Sequence, residues 1–387
     1  MSSFSKTDFL LKKETLKLLS ILHESCKDDL SLAKSPLLGS YSSRERAALL
    51  EQRSLRKLAS KKFSFSEKLL FSKLALEQST REVISRYKAE KIGTSFQTIA
   101  DLCCGIGGDS FFLKSRVIGV DKTFSLCRLY SHNMQQLGHN FTVIQSLVES
   151  CPVKAPMILL DPARRVSPYG NSWNDDKLSP SLEHISNMLG NFDNAAIKLR
   201  PGITVPEFLL EGEVEYIGLH DECLELLVWL GDNWKKGVVR ATEVHSGQSL
   251  ALEVESIADT FVSSRTPGKY LYEPLKVLVR SHLFGYLAQQ LKLWQIDERI
   301  AYLSGDEEIR HPFLKGYRIL DGIPYNIKGL KELLRQYNIG WLDIKKRGCS
   351  VDPQVMRKEL KPKGDNRGIV FFTRVKNRKF IFLTEMI

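Results

Sequence analysis

The spacing of apolar residues changes character twice along the chain. Up to about Ile92 it is helical. "SSRERAALLEQRSLRKLASKKF" contains no Gly or Pro and begins with a serine suited to cap a helix. "SKLALEQSTREVISRYKAEKI" predicts one helix with Leu76, Val83 and Tyr87 on a single face. From Gln97 onward, short apolar runs alternate with helix-length segments: "TIADLCC", "RVIGVD", "FTVIQS", "MILLDP" and "NAAIKLRPG". Such alternation predicts a parallel sheet with both faces covered. "SPSLEHISNMLG" predicts a helix with Ser179 as N-cap, Pro180 in the first turn and Gly190 at the C-cap. After Gly202, "EVEYIGLHDECLELLVWLG" predicts two strands joined by a tight turn at His220 and Asp221. "VSSRTPGKYLYEP" marks a linker or domain border. Beyond it, "GYRILDGIPY", "NIKGLKELLRQYN", "GWLDIKKRG", "DPQVMRKELK", "GIVFFTRV" and "KFIFLTEMI" predict strand, helix, strand, helix, strand, strand.

Composition narrows this picture. A chain of 387 residues that is 43% hydrophobic can build the cores of two or three domains. No apolar run approaches the roughly 20 residues that a membrane helix needs, and the N-terminal leucines are broken by lysines, unlike a signal peptide. The expectation is a cytoplasmic protein with no membrane contact. The 7 cysteines form no CxxC pair, which argues against a disulfide framework or a metal site. Net charge is +11, which points to an anionic partner. The excess is concentrated: Trp341 to Ile387 carries 12 Lys/Arg against 5 Asp/Glu, and Arg44 to Lys91 carries 13 against 6.

The chemistry centres on "TIADLCCGIGGDS". It predicts a strand, a glycine turn and a helix start. Gly105 and Gly107 allow the backbone to turn sharply and to approach a ligand closely. Asp121 ends the next strand, where a carboxylate accepts hydrogen bonds from both hydroxyls of a ribose. A dinucleotide would need GxGxxG, and the third glycine is absent. Asp101, ahead of the glycines, would repel a pyrophosphate and suit an ammonium group. S-adenosylmethionine (SAM) has a ribose, an ammonium and a sulfonium, and no phosphate. Cys103 and Cys104 then serve as small side chains where the strand meets the cofactor.

"MILLDPARRV" places Asp161-Pro162 at the end of the fourth strand, the end at which open α/β sheets bind ligands. An acceptor there can hold an amino or imino proton and aim the nitrogen lone pair. Arg164 and Arg165 add positive charge suited to phosphate. Lys198 and Arg200 end the fifth strand and are candidates to flank the same crevice.

These residues resemble class I SAM-dependent methyltransferases. The loop from Asp101 through Cys103, Gly105 and Gly107 looks like the family's first motif, Asp121 its ribose acid, and Ser146 a counterpart of its third-strand residue. Asp161-Pro162-Ala163-Arg164 resembles the Asp/Asn-Pro-Pro-x motif of base methyltransferases, with Ala163 replacing the second proline. "LALEQSTREVISRYKA", "DPARR", "YLYEPLKVLVRSHL", "AYLSGDE" and "IKKRG" with Asp352-Pro353 resemble a bacterial group that ends in a THUMP-like domain. The resemblance implies a Rossmann-like seven-stranded sheet closed by an antiparallel hairpin. The expected domains are a helical region over 1–92, a methyltransferase domain over 93–262 and a THUMP-like α+β domain over 266–387. It implies SAM as cofactor, no metal, Asp161 and Pro162 as catalytic residues, and RNA, tRNA or rRNA, as partner. Lys345, Lys346 and Arg347 would then grip phosphates. A methyltransferase-fold RNA binder without catalysis, and an enzyme acting on DNA or a small molecule, remain open at this point.

Overall fold

The computed structural model describes residues 4–24, 35–164, 178–255 and 263–387. Helices dominate the start. Ser42 caps the helix Ser43–Ala59 in a reciprocal box with Glu45, as the serine-rich opening predicts. Such a cap is worth about 1 kcal/mol. The single helix expected over the next segment is two, Lys73–Gln78 and Glu82–Ile92. The break has a cause. Ser79 Oγ donates to the Leu76 carbonyl, and the Lys62 ammonium takes the carbonyls of Leu76, Glu77 and Ser79 at 2.6–3.0 Å. Leu76 is buried as expected, but in the second helix the buried side chains are Ile84, Ser85, Lys88 and Ile92 rather than Val83 and Tyr87.

Eleven strands follow in the first part of the chain. They are β1 (Thr98–Leu102), β2 (Arg116–Asp121), β3 (Phe141–Gln145), β4 (Met157–Leu160), β5 (Ala163–Arg164), β6 (Leu178–Ser179), β7 (Ala195–Leu199), β8 (Glu213–Leu219), β9 (Glu222–Leu230), β10 (Val238–His245) and β11 (Gln248–Glu255). β5 and β6 pair with each other; the other nine form one sheet in the order β11-β10-β8-β9-β7-β4-β1-β2-β3. β3, β2, β1, β4 and β7 run parallel. β9 then joins β7 antiparallel. The seven strands from β3 to β8 give the expected sheet with its closing hairpin. That hairpin turns through His220 and Asp221, both at positive φ. The expectation of seven strands is exceeded by two, because β10 and β11 extend the sheet beyond β8. Every residue of β4 is buried, as in a strand covered on both faces. The helix after β6 runs Leu182–Leu189, and its N-cap is Ser181, which accepts from the His184 N–H. Ser179 instead ends β6, so the capping expectation was displaced by two positions; Gly190 is the C-cap as read.

The last part holds β12 (Tyr270–Pro274), β13 (Trp294–Asp297), β14 (Ile300–Gly305), β15 (Leu314–Pro324), β16 (Ile339–Lys346), β17 (Asn366–Val375) and β18 (Arg378–Met386). They form a sheet in the order β13-β14-β12-β15-β18-β17-β16. The expected α+β pattern is present, with β12, β13 and β14 in addition; β12 lies inside the segment read as a border. Leu330, Leu333 and Leu334 of the helix Ile327–Gln336, with Met356 and Leu360 of the helix Pro353–Leu360, pack against Leu342, Val370, Phe372, Ile381 and Leu383. Each such side chain contributes about 1.5–3 kcal/mol on burial. A second cluster, including Tyr302, Tyr317, Phe371 and Phe382, forms a separate core.

The chain divides into two compact units. Residues 1–215, 225–237 and 244–249 make the first; residues 216–224, 238–243 and 250–387 make the second. The N-terminal helices thus belong to the same unit as β1 to β7. Among the described residues, no helix is long and apolar enough to cross a membrane.

Candidate functional site

The site lies where β1, β2, β3, β4 and β7 end. A parallel sheet places all these carboxyl ends on one side, so the residues that follow them converge. The chain leaves β1 through Cys103, whose φ of 65° is unusual for a residue with a Cβ. Gly105 (φ 55°) and Gly107 (φ 97°) continue the turn. A Cβ on Gly107 would sit 2.8 Å from the Phe111 ring, whereas one on Gly105 would meet nothing within 4 Å. Gly107 is required for packing and backbone angle; Gly105 borders open space.

Asp121 ends β2 and is nearly buried. One carboxylate oxygen accepts from the Gly105 N–H at 3.2 Å and the other from the Thr123 N–H at 2.8 Å. It therefore braces the glycine loop, and each oxygen keeps a lone pair for a further donor. Ser146 follows β3, and its N–H donates to the Asp121 carbonyl at 3.1 Å. The structure thus brings Cys103, Gly105, Gly107, Asp121 and Ser146 together at three adjacent strand ends.

Asp101 stands near the end of β1, beside the glycine loop. It is 2% exposed and accepts a hydrogen bond from Ser110 Oγ. Burial and the nearby Asp109 push its carboxyl up to about 8, which favours the neutral acid near pH 7. Its position beside the loop is as read; its charge is not. Burial likewise pushes the Cys103 thiol up to about 12 and Cys104 well above the usual range. Both remain protonated, which suits packing and not nucleophilic chemistry.

Asp161 and Pro162 follow β4. The Asp161 carboxylate accepts from the Lys198 ammonium of β7 at 2.8 Å. Lys198, read as a candidate to flank the crevice, has a side chain only 15% exposed and belongs to a network. It donates to Thr80 Oγ1 at 2.9 Å and stands 3.5 Å from both Asp109 and Glu225. Thr80 Oγ1 donates in turn to Glu225 at 2.7 Å. Lys88, buried on the helix Glu82–Ile92, pairs with Asp109 and, at 2.8 Å, with Glu225. Burial alone would raise Asp109, but Lys198 and Lys88 hold it below the usual carboxylate range. Glu225 is held low by the same two cations against its burial. Lys88, Asp101, Asp109, Asp161 and Lys198 line one pocket with Leu159, Leu160, Ala196 and Leu227. Lys88 and Lys198 meet Asp109, Asp161 and Glu225 in one ion-pair network beside this pocket. Open space at Gly105 and spare acceptor capacity on Asp121 fit a ribose-bearing ligand such as SAM.

Thr80, Lys88, Asp109 and Glu225 were not singled out by the sequence reading. The signal lay in "EQSTRE" and "GGDS", stretches quoted for other reasons. A Cβ on Gly108 would stand 3.2 Å from Ser79 Cβ and the Thr80 N–H, so the glycine loop packs directly on that turn. Among the other candidates, Arg200 is half-buried near the end of β7. Arg164 is in β5, paired to Leu178, while its side chain and the whole of Arg165 lie outside the described residues. In the second unit, Lys345 pairs with Glu273 and the Tyr317 hydroxyl, and its ammonium sits 5.0 Å from the Tyr317 ring centre. Arg347 lies 4.8 Å over Tyr302 and donates to the Ala301 carbonyl. Both serve the internal packing of that unit; Lys346 is exposed.

Residues 314–386 match the family model for the THUMP domain-like family. Uncharacterised S-adenosylmethionine-dependent methyltransferases from two strains of Mycobacterium tuberculosis are 26% identical over 313 residues, covering 79% of this chain and 85% of theirs. A crystal structure from Porphyromonas gingivalis, of a protein provisionally named a methyltransferase, superposes with a TM-score of 0.81 at 19% identity. That superposition covers 97% of this chain and 99% of the other, and it establishes a shared fold. Over most of its length the chain is thus similar to SAM-dependent methyltransferases, and its C-terminal segment is similar to the THUMP domain-like family.

Proposed function

We propose that the protein transfers a methyl group from SAM to a nitrogen of a base in structured RNA, tRNA or rRNA. The observation that carries this reading is the meeting of two motifs at adjacent strand ends. The glycine loop with Asp121 stands after β1 and β2, and Asp161-Pro162 stands after β4 with its carboxylate held by Lys198. Gly105, Asp121 and Ser146 would hold the cofactor, with the ribose at Asp121. Bound there, SAM supplies an electrophilic methyl group on a sulfonium.

The chain's own residues do the rest. Asp161 accepts a hydrogen bond from the N–H of the target base, which turns the nitrogen lone pair toward the methyl group. As the nitrogen gains positive charge, the same carboxylate is placed to take its proton. Pro162 has no N–H to compete for that acceptor and stiffens the turn.

Support for RNA comes from charge and from the C-terminal family match. In the proposed division, residues 93–262 carry the chemistry and residues 266–387 bind RNA. Phosphate contacts then fall to exposed residues such as Lys346, Lys376 and Arg378 rather than to Lys345 and Arg347, which are already paired. Mass spectrometry of RNA nucleosides from cells with and without the protein tests this. One methylated nucleoside should disappear with the gene. It should return with wild type and not with Asp161→Ala. Identical nucleoside profiles in the two cell lines would exclude RNA as the substrate.

A further inference from the structure

We propose that Lys198 is a positioning residue for Asp161, and that Thr80, in the turn before the helix Glu82–Ile92, and Lys88 on that helix complete the clamp that fixes it. The inference rests on the methyl-transfer reading and deepens it, since it says how the acceptor is kept in place.

The geometry is that of a fully engaged ammonium. Lys198 has three N–H donors and four oxygens around it: Asp161 at 2.8 Å, Thr80 at 2.9 Å, and Asp109 and Glu225 at 3.5 Å. It cannot swing to solvent without abandoning them. Thr80 is fixed in turn, because its hydroxyl accepts from Lys198 and donates to Glu225. Lys88 ties Asp109 to Glu225 from behind. Asp161 itself stands in a loop after β4 and is the most exposed member, at 38% for its side chain. Left alone, it would sample several rotamers. An ammonium fixed beside it selects one. Displacing a reacting group by about 1 Å can cost about a hundredfold in rate, so the selection matters.

The clamp also sets the charge of Asp161. The groups facing it are Lys198 on β7, Lys88 on its helix, Asp101 on β1, Cys103 and Asp109 on the glycine loop, and Glu225 on β9. Partial desolvation pushes the Asp161 carboxyl up, Lys198 opposes this, and Asp109 and Glu225 add to it. Without Lys198 nothing adjacent offsets the three carboxyl neighbours except Lys88, which is occupied by two of them.

The test uses full-length protein carrying 13C-labelled aspartate carboxyls. The Asp161 signal is identified by its loss in Asp161→Asn and followed against pH. In Lys198→Met its midpoint should rise by at least one pH unit, a tenfold change in proton affinity. Lys198→Arg should return it toward wild type. Thr80→Val, which keeps the shape of the side chain, should raise it by a smaller but resolvable step. In parallel, labelled SAM is supplied with RNA from cells that lack the protein. Lys198→Met should lower kcat about thirtyfold or more while the SAM Kd stays within about threefold of wild type. An unmoved Asp161 midpoint in Lys198→Met overturns the proposal. If that variant does not fold, an unmoved midpoint in Thr80→Val does so. Should wild-type protein methylate no RNA, the RNA reading falls, and the carboxyl titration still decides the role of Lys198.

Discussion

Asp121 and Asp101 are two carboxylates at neighbouring strand ends with opposite tasks. Asp121 is an acceptor that braces the glycine loop. Replacing it with Ala removes both the brace and the proposed ribose contacts. Charge-assisted hydrogen bonds are worth about 1.5–3 kcal/mol, so SAM affinity measured by calorimetry should fall at least tenfold. Asp101 is the neutral one. Its carboxyl lies near 8 in the folded protein against an ordinary value of 3.8. The folded state therefore keeps a proton that the unfolded chain has released across that interval. Stability from this group is present below the ordinary value and is lost as pH rises toward 8, by up to about 1.4 kcal/mol per pH unit. Asp101→Asn keeps the shape and cannot ionise. Its unfolding midpoint in urea should fall less steeply than that of wild type between pH 6 and pH 8. Parallel curves for the two proteins would mean that Asp101 is already ionised in the fold.

At the level of elements, the turn between Lys73–Gln78 and Glu82–Ile92 brings the N-terminal region into the site. Lys62 holds it by three carbonyl contacts. Lys62→Met should lower stability by about 1.5–3 kcal/mol at pH 7, read from chemical unfolding. The same turn shows where the sequence is transparent and where it is opaque. Strands β1 to β4 and β7 were legible because a buried parallel strand has to be a short unbroken apolar run. The glycine loop and Asp121 were legible because the backbone angles and the acceptor chemistry admit few residue types. Lys88 was not, since a lysine on a helix usually marks a solvated face. Its partners Asp109 and Glu225 lie 21 and 137 positions away, and nothing local announces them. The β10–β11 and β13–β14 hairpins could have been found from the alternation around Ser246-Gly247 and Glu298-Arg299.

For the whole molecule, the positive excess is a statement about association. If Lys346, Lys376 and Arg378 touch phosphates, changing each to Gln should weaken RNA binding across sequences alike. The slope of log affinity against log salt should flatten by about 0.7–0.9 per contact removed. A slope identical to wild type in the triple variant would place the RNA elsewhere on the surface. SAM binding should be unaffected, since the cofactor residues all belong to the first unit. The buried charges of that unit also bear on descent. A lineage that loses Glu225 leaves Lys88 and Lys198 each one carboxylate short, and one that loses Lys88 leaves Asp109 and Glu225 to Lys198 alone. Each such step alone costs several kcal/mol. Positions 88, 109, 198 and 225 should therefore be inherited as a set, changing together among relatives or not at all. A helix that looks like an accessory at the start of the chain would then evolve at the pace of the catalytic sheet.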